Sequence, residues 1–340
     1  MSLEWRLLRD GITDAHHHFA VEEALVRLVD EGHSPPTLRL RQVRRAVFVG
    51  VYQDTWSEVD VDYCRQHGIK IVRRLNGGGA VYHDLGSFCT SAFFPRTMFP
   101  HSDEELYRLF AEPVIRTCAD YGVAARFAGR NDVLVGERKI HGAAQIAWYS
   151  AFVQSGTFLV NMDLDAMERA LTPPALKFAD KPARSIQERV TSLAREVGRE
   201  LDVGGVQARL VDHLAQLLGI EFAPGELTAQ EQALADELLT IKYSTDEWNL
   251  GARQGAGVTV STRTPGGVVL LSADVDGGAI RAARIHGDLL LSDGAALKRL
   301  ERALAGCRLA DAPAVVRAAP LPADLQEALV ALLAEVADNA

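Results

Sequence analysis

The chain has 340 residues, more than a single hydrophobic core usually supports, so two domains are expected. Apolar residues make up 48% and charged residues 24%, as in ordinary globular proteins, and no apolar run approaches the ~20 residues of a membrane span. The net charge of −9 argues against nucleic-acid binding, which needs a positive field, and the charged N-terminus lacks an apolar signal segment, so a cytoplasmic location is expected.

The first two thirds of the chain alternate helical patterns with short β-rich runs. Apolar residues at helical spacing predict a first helix from about His17 and further helices at residues 103–121, 164–171, 186–193, 206–218 and 230–240. Short β-branched or aromatic runs predict strands at residues 46–50, 69–72, 88–94, 133–135 and 157–160.

Two breaks divide the remainder. Thr172-Pro173-Pro174 opens a lysine-containing loop that runs to Lys181, and the segment KYSTDEWNLG forms a second break. Beyond it, strand-like runs at residues 257–262, 267–273 and 279–285 precede helical patterns at residues 295–305 and 323–336. We interpret residues 255–340 as a small α+β domain, joined by a linker at about residues 246–254 to a larger domain of residues 1–245.

A basic band, Arg39-Leu40-Arg41 with Arg44-Arg45, lies between the first helix and the first predicted strand. We interpret it as a solvated edge of the protein. The alternative is a docking site for an acidic macromolecule.

The densest chemical signal is the segment RRLNGGGAVYHD. Gly77, Gly78 and Gly79 follow a predicted strand, and consecutive backbone N–H groups of this kind form a nest for phosphate oxygens. Arg74 would add a planar fork for phosphate. There is no Walker A sequence, and extended chain follows the glycines where a Rossmann fingerprint would need a helix. A purely structural tight turn is the alternative.

A second segment, GRNDVLVGERKIHGAAQ, places Asn131 and Asp132 before a short strand and Lys139 at its end. The small residues that follow Lys139 leave room for the tail of a ligand. If Lys139 is considered without its neighbours, the alternative to a ligand-binding role is an ordinary solvated surface lysine.

Together these motifs resemble the lipoate–protein ligase A family, which shares a superfamily with biotin ligases and octanoyltransferases. The resemblance continues through SGTFLVNMDLDAMERAL, RSIQERVTSL and KY…EWNLG, and so covers nearly the whole chain in order. It implies an α+β protein: a large N-terminal catalytic domain of the biotin/lipoate-ligase type, with mixed β-sheets and flanking helices, and a small C-terminal α+β accessory domain.

The resemblance also implies a reaction and its partners. Lipoate and ATP give lipoyl-AMP and pyrophosphate. The lipoyl group then passes to a lysine of an acceptor, either the lipoyl domain of a 2-oxoacid dehydrogenase E2 subunit or the H protein of glycine cleavage. Because the chain carries its own accessory domain, a monomer is expected.

Roles follow by position within the matching motifs. Lys139 matches the lysine that contacts both the lipoate carboxylate and the α-phosphate, and Asp132 matches a position that holds Mg²⁺ or the adenylate. The loop at residues 172–181 matches a region that closes over the adenylate. The remaining ATP-contacting and pocket-lining positions are Arg74, Gly77, Gly78, Gly79, Ala80, Val81, Tyr82, His83 and Asn131.

Two other functions compete with the ligase. One is an octanoyl or lipoyl transferase that works without ATP through an acyl-cysteine, and the other is a non-catalytic lipoyl-binding homologue. In such transferases the cysteine lies shortly before the strand that leads to the lysine, where residues 127–132 of this chain contain none. Cys118 lies earlier, in a helical pattern. The four cysteines form no C-x-x-C pair, so neither a zinc knuckle nor a disulfide framework is expected.

The chain departs from the family pattern at three places. Asn76 stands where serine is frequent, and Ser87 replaces the usual asparagine after Leu-Gly. His16-His17-His18 occupies a region where relatives often carry asparagine. Successive helical residues point in different directions, so no single metal ion is expected to bind all three histidines.

Overall fold

The computed structural model describes residues 3–172, 186–251, 257–265, 267–291 and 294–339. The strands are β1 (Leu3–Thr13), β2 (Thr37–Val43), β3 (Ala46–Val49), β4 (Lys70–Arg73), β5 (Val81–His83), β6 (Ser87–Pro95), β7 (Ala125–Ala128), β8 (Asp132–Val135), β9 (Arg138–Trp148), β10 (Ala151–Leu159), β11 (Ile220–Gly225), β12 (Val258–Thr264), β13 (Gly267–Asp276) and β14 (Ala279–Gly287).

The helices are α1 (Ala15–Asp30), α2 (Thr55–Glu58), α3 (Val61–Gln66), α4 (Asp103–Asp120), α5 (Leu164–Ala170), α6 (Ile186–Arg189), α7 (Leu193–Val197), α8 (Val203–Leu218), α9 (Ala229–Leu238), α10 (Asp246–Asn249), α11 (Gly294–Leu304), α12 (Ala312–Ala318) and α13 (Ala323–Asn339). The helix predicted at residues 186–193 is two short helices, because Ser192 caps a new one, α7. None of the helices in the described ranges is long and apolar enough to cross a membrane.

An eight-stranded mixed sheet forms the centre of the larger part of the chain. Its strand order is β11-β1-β2-β6-β10-β9-β8-β7, and β10 pairs antiparallel with both β6 and β9. Helix α1 packs on one face in an apolar cluster with Phe93 and Val153. Helices α4 and α8 cover the other face, in a cluster that includes Phe94 and Phe152. The α+β class and the mixed sheets with flanking helices are as expected.

The interpretation of the basic band as a solvated edge or a docking site is wrong for two of its four arginines. Arg39 and Arg41 lie on β2, which pairs with β1 and β6, and their exposed fractions are 0% and 2%. Alternate side chains of an interior strand face the covering helix, so neither arginine forms a solvated edge or a docking surface. Arg44 and Arg45, beyond the strand, are exposed.

A small sheet of order β4-β3-β5 lies beside the central sheet. Strand β3 pairs parallel with β4 and antiparallel with β5. The three glycines Gly77–Gly79, which we call the glycine run, therefore connect β4 and β5, the two strands on either side of β3. The extended chain expected after the glycines is confirmed by β5 and β6.

The smaller C-terminal region is built on the three-stranded sheet β12-β13-β14. Helices α11, α12 and α13 pack against it in a separate apolar cluster that includes Leu271, Leu300 and Leu329. The end of β14 reaches the segment that follows β3, where the Gly287 N–H donates to the Tyr52 carbonyl at 2.9 Å.

Candidate functional site

The glycine run is a tight connection between β4 and β5 that requires glycine at Gly77 and Gly78. Gly78 has φ +89°, in the left-handed region that favours glycine. A Cβ on Gly77 would lie 1.9 Å from the Leu289 carbonyl oxygen. The Gly78 N–H donates to that same oxygen at 2.9 Å. The run therefore offers a backbone donor to an oxygen that comes from the C-terminal region.

Arg74 lies buried beneath this connection. Its Nη2 donates to the carbonyl oxygens of Gly77 and Gly79 at 2.7 and 2.9 Å, and its Nη1 donates to the Phe48 carbonyl at 2.9 Å. Burial lowers its pKa to about 10, which still leaves it charged at neutral pH. Because the guanidinium draws the loop carbonyls inward, Arg74 organises the glycine run in this structure and is not an open fork for phosphate.

Lys139 lies at the start of β9. The expectation that it ends a short strand is wrong, because β8 stops at Val135 and the chain turns before Lys139. Its Nζ is 2.7 Å from Asp132 Oδ1, and the two side chains are 37% and 33% exposed. A Cβ on Gly142 would lie 2.4 Å from Lys139 Nζ. The absence of a side chain at Gly142 therefore makes room for the ammonium group of Lys139.

The segment after α6 holds β9 in place. Lys139 and Val190 form a parallel bridge, and the Thr191 N–H donates to the Lys139 carbonyl at 2.9 Å. The loop that was expected to close over the site, residues 172–181, precedes α6 in the chain. Of that loop, Thr172 donates its N–H to the Glu58 carbonyl, and residues 173–181 lie outside the described residues.

Arg189 lies within electrostatic range of Asp132, on the β8–β9 hairpin that carries Lys139, and of Asp288, beside the glycine run. Its pKa is lowered, chiefly by burial, and both Asp132 and Asp288 act on its charge in the opposite sense. Asp288 also borders the glycines: its Oδ1 would lie 3.5 Å from a Cβ on Gly79 and accepts from Gln53 Nε2 at 2.8 Å. Asp132 of the hairpin and Asp288 beside the glycines therefore act on the charge of the same arginine.

Neither Arg189 nor Asp288 was among the predicted site residues. Arg189 stands in the RSIQERVTSL motif, which the sequence did single out, so the motif was a usable signal. Asp288 follows a strand of the C-terminal region, and its approach to the glycines depends on contacts between distant parts of the chain.

Other predicted positions make packing, pairing or hydrogen-bond contacts in the same part of the structure. Tyr82 is buried in an apolar cluster with Val47, and Ala80 packs against the same cluster. Val81 pairs with Phe48 in the small sheet. Asn131 Nδ2 donates to the Ala143 carbonyl at 2.6 Å, which fastens the hairpin that carries Asp132 and Lys139.

Two buried histidines flank the charged cluster. Burial lowers the pKa of His83 to about 3, with Arg41 and Arg74 adding to the effect, and its Nδ1 lies 3.6 Å from Cys89 Sγ. His141, which was not predicted, also has its pKa lowered to about 3, first by burial and then by Lys139. Both rings are therefore neutral near pH 7.

In the ranges that the structure describes, no group of three or more His, Cys, Asp or Glu side chains is arranged to hold a metal ion. The carboxylate of Asp132 remains an oxygen donor beside the candidate site. A single carboxylate fits Mg²⁺, which keeps several waters and is commonly bound by one or two carboxylates together with substrate phosphates.

Comparison with known proteins places this geometry in a family. The profile described as the lipoyl protein ligase A/B catalytic domain matches residues 14–215. The chain belongs to the lipoyl protein ligase A/B family. The matched span contains the glycine run, the Asp132–Lys139 hairpin and Arg189, and the expectation of an enzyme of the lipoate-ligase type is confirmed.

Solved structures of lipoyl protein ligase A/B relatives agree with the fold. A bi-partite lipoate protein ligase of Thermoplasma acidophilum, described with its E2 lipoyl domain, is 34% identical with a TM-score of 0.64, over 75% of this chain and 99% of that one. A lipoate-protein ligase A bound with ATP is 31% identical with a TM-score of 0.64, over 74% of this chain and 99% of that one.

The family also includes proteins with a different activity. The octanoyltransferase LipM of Kyrpidia tusciae is 32% identical over 271 residues, which cover 72% of this chain and 98% of that protein. Family membership therefore leaves two reactions to distinguish.

Proposed function

We propose that this protein is an ATP-dependent lipoate–protein ligase. The observation that carries the proposal is the partly exposed Lys139 ammonium group, 2.7 Å from Asp132 Oδ1, within the span that matches the lipoyl protein ligase A/B catalytic domain. A cation at this position suits a reaction that brings a carboxylate and a polyphosphate together. The ligase relative bound with ATP, 31% identical to this chain, supports the same assignment.

In the first step, a lipoate carboxylate oxygen attacks the α-phosphorus of ATP. The new bond joins that oxygen to phosphorus, and the bond from phosphorus to the bridging oxygen breaks, so that pyrophosphate leaves. The two anions repel each other, and Lys139 bound to both would lower that repulsion while aligning the reactants. Lys139 would exchange its pairing with Asp132 for the substrate oxygens.

In the second step, the amine of an acceptor lysine attacks the acyl carbon of lipoyl-AMP. The amide bond forms, the carbon–oxygen bond to AMP breaks, and the amine proton passes to solvent. The acceptors would be lipoyl domains of E2 subunits or the H protein. The Thermoplasma ligase described together with its E2 lipoyl domain supports the first of these.

Further assignments belong to the same proposal. Asp132 would hold Mg²⁺, which neutralises phosphate charge when it is bound, and Arg74, Gly77, Gly78, Gly79, Ala80, Val81, Tyr82, His83 and Asn131 would form the nucleotide and acyl pocket around it. Residues 1–245 would be the catalytic domain and residues 255–340 the accessory domain. The protein would act as a cytoplasmic monomer that binds neither nucleic acid nor membrane.

The decisive experiment adds lipoate and Mg-ATP to the purified protein and an apo lipoyl domain. The expected result is a mass increase of the lipoyl domain by one lipoyl group that requires ATP and is accompanied by release of AMP. Modification from an octanoyl carrier protein without ATP, and none with lipoate and ATP, would overturn the proposal.

An octanoyltransferase is the second candidate, favoured by the similarity to LipM. Among the described cysteines, Cys89 is the one beside the site, and burial raises its pKa, which disfavours the thiolate that an acyl-cysteine route requires. We therefore expect Cys89→Ser to retain ATP-dependent acylation of the lipoyl domain. Loss of acylation in a correctly folded Cys89→Ser protein, with Cys64→Ser as the matched control, would instead favour the transferase.

A further inference from the structure

A shallow open groove lies on the C-terminal region, between strand β14 and helix α11. Strand β14 is an outer strand of its sheet, whose order is β12-β13-β14. The groove has a volume of about 380 Å³, and we call it the β14–α11 groove. Residues three and four apart on a helix share one face, and one such face of α11 forms the wall opposite the strand. The lining includes Ala282 and Ala283 of β14 and Lys298, Glu301, Arg302 and Ala305 of α11.

The edge of β14 is open along the groove and occupied on either side of it. The Ile280 N–H donates to the Cys307 carbonyl at 2.9 Å, and the Ile285 N–H donates to Glu301 Oε1 at 2.8 Å. Between them, within the described part of the chain, the backbone of residues 281–284 makes no hydrogen bond beyond its own sheet. Four residues of a strand span about 13 Å, which is room for one short extended segment to pair with this edge.

Positive charge borders the groove. Arg281 lines it from the strand and pairs with Asp276. Lys298 and Arg302 are exposed and lie one helical turn apart, and neither forms an ion pair with another described residue. Glu301 lies on the same helical face, but its carboxylate accepts the Ile285 N–H. Two uncompensated cations therefore face open space on a chain whose net charge is −9.

Protection of the sheet edge is the simplest alternative role for these charges. Charged side chains on an edge strand hinder pairing with other chains, and Arg281 fits that role because it lies on β14 itself. Lys298 and Arg302 lie on the helix at the other side of the groove, and the alanines of the lining leave the space between helix and strand unfilled. An open strand edge with cations across from it suits an extended segment that carries carboxylate side chains.

Strand β14 leads from the groove to the candidate site. It ends at Gly287, and two residues later the Leu289 carbonyl accepts from the Gly78 N–H at 2.9 Å. Six residues separate Ala283 from Leu289, a distance of at most about 20 Å. A domain of about 100 residues has a radius of gyration of ~13 Å. A small protein that binds in the groove is therefore large enough to reach the glycine run as well.

We propose that the β14–α11 groove docks the acceptor protein through a short extended segment of the acceptor that carries acidic side chains. The segment would pair with the open edge of β14 and place its carboxylates against Lys298 and Arg302. This inference rests on the proposed acyl transfer and names the surface that recognises the second substrate. Because the groove is separate from Lys139, it would govern binding of the acceptor and leave activation of the acid unchanged.

The test compares acyl transfer with acid activation in the full-length protein. Transfer is measured at varied concentrations of an apo E2 lipoyl domain, and activation is measured as lipoate-dependent ATP–pyrophosphate exchange without acceptor. In the double variant Lys298→Glu/Arg302→Glu we expect KM for the lipoyl domain to rise by about tenfold or more, because like charges then face each other across the interface. The kcat of transfer and the rate of pyrophosphate exchange should stay at the wild-type values.

The matched control is Arg44→Glu/Arg317→Glu, which makes the same change in net charge at two exposed arginines outside the groove lining. Its KM for the lipoyl domain should stay near the wild-type value. An equal rise of KM in both double variants, or an unchanged KM in Lys298→Glu/Arg302→Glu, would overturn the inference and leave the proposed function standing. Absence of pyrophosphate exchange in the wild-type protein would overturn the proposed function itself.

Sedimentation measurements separate the other uses of the same surface. We expect the wild-type protein and Lys298→Ala/Arg302→Ala to sediment alike as monomers, with KM for the lipoyl domain raised in the variant. Charges that only protect the strand edge would instead give an aggregating variant with unchanged KM. A second copy of the chain in the groove would give a wild-type dimer that the variant dissociates. Either of these results would overturn docking of the acceptor.

Discussion

The glycine run and the lysine hairpin, the two halves of the candidate site, are held in opposite ways. The glycine run is fixed from within, because buried Arg74 donates to the carbonyls of Phe48, Gly77 and Gly79. Lys139 is more than one third exposed and pairs with Asp132. The contrast separates a backbone connection held by buried hydrogen bonds from a partly exposed cation that, in the proposed reaction, would exchange Asp132 for substrate oxygens.

The largest effect is expected from removing that cation. Lys139→Ala should lower lipoate-dependent adenylation by about 10²- to 10³-fold, the usual loss when one fixed group that stabilises developing charge is deleted. Its melting temperature should stay close to the wild-type value, because an exposed ion pair contributes at most about 1 kcal/mol. Lys70→Ala, which removes an exposed lysine of β4, is the control, and near-normal adenylation by Lys139→Ala would contradict the mechanism.

Arg74→Met should disrupt the glycine run, the other half of the site, by destabilising the fold. Three carbonyl oxygens would lose a charged donor, so we expect a loss of about 3 kcal/mol or more in the free energy of unfolding, measured by denaturant titration. Adenylation should fall together with stability, unlike in Lys139→Ala. Exposed Arg126 provides the control variant Arg126→Met, and an Arg74→Met protein as stable as this control would show that the glycine run does not depend on the guanidinium.

Gly142→Ala tests whether the cation must occupy its present place. The new Cβ would lie 2.4 Å from Lys139 Nζ, and a flexible lysine can move aside at little cost in stability. Because misplacing a reacting group by about 1 Å can cost as much as 10²-fold in rate, adenylation should fall by about tenfold or more while the melting temperature changes little. In Gly204→Ala the added Cβ makes ordinary contacts and adenylation should be normal. Equal activity of the two variants would mean that the position of Nζ is unimportant.

The smallest effect is expected from the buried neutral histidines near the site, of which His141 is the example. The folded pKa of His141 is lowered to about 3 from 6.5, so between these values the unfolded chain binds more protons and stability rises with pH. The contribution is complete above about pH 6.5 and is lost on acidification by about 1.4 kcal/mol per pH unit. Between pH 6.5 and 5, the unfolding free energy of His141→Gln should therefore fall less steeply than that of the wild type, by about 1.4 kcal/mol per pH unit. The exposed-residue control His67→Gln should keep the wild-type slope. An unchanged slope in His141→Gln would refute the buried neutral state.

Sequence patterns predicted the elements whose periodicity is strong and local. The helices α4, α8 and α13, the strands β6 and β13, and the extended chain after the glycines all form where expected. Strand β2 was missed because Arg39 and Arg41 break the apolar pattern that marks a buried strand. Burial of an arginine depends on partners such as Glu22 and Asp10, which lie elsewhere in the sequence.

The site was predictable to the extent that its residues lie in contiguous motifs. The pairing of Lys139 with Asp132 follows from a short hairpin, and the glycine run follows from its own composition. The inward turn of Arg74 depends on which loop atoms need a donor, and the approach of Asp288 depends on how the C-terminal region packs. Neither leaves a periodic or compositional trace in the sequence.

The most direct test of the central claim is pyrophosphate release from ATP in the presence of lipoate and the absence of any acceptor protein. We predict lipoate-dependent formation of pyrophosphate by the wild-type protein, with lipoyl-AMP retained on the enzyme, and its loss in Lys139→Ala. Acceptor acylation that proceeds from an acyl carrier protein, with no pyrophosphate released under any of these conditions, would contradict it.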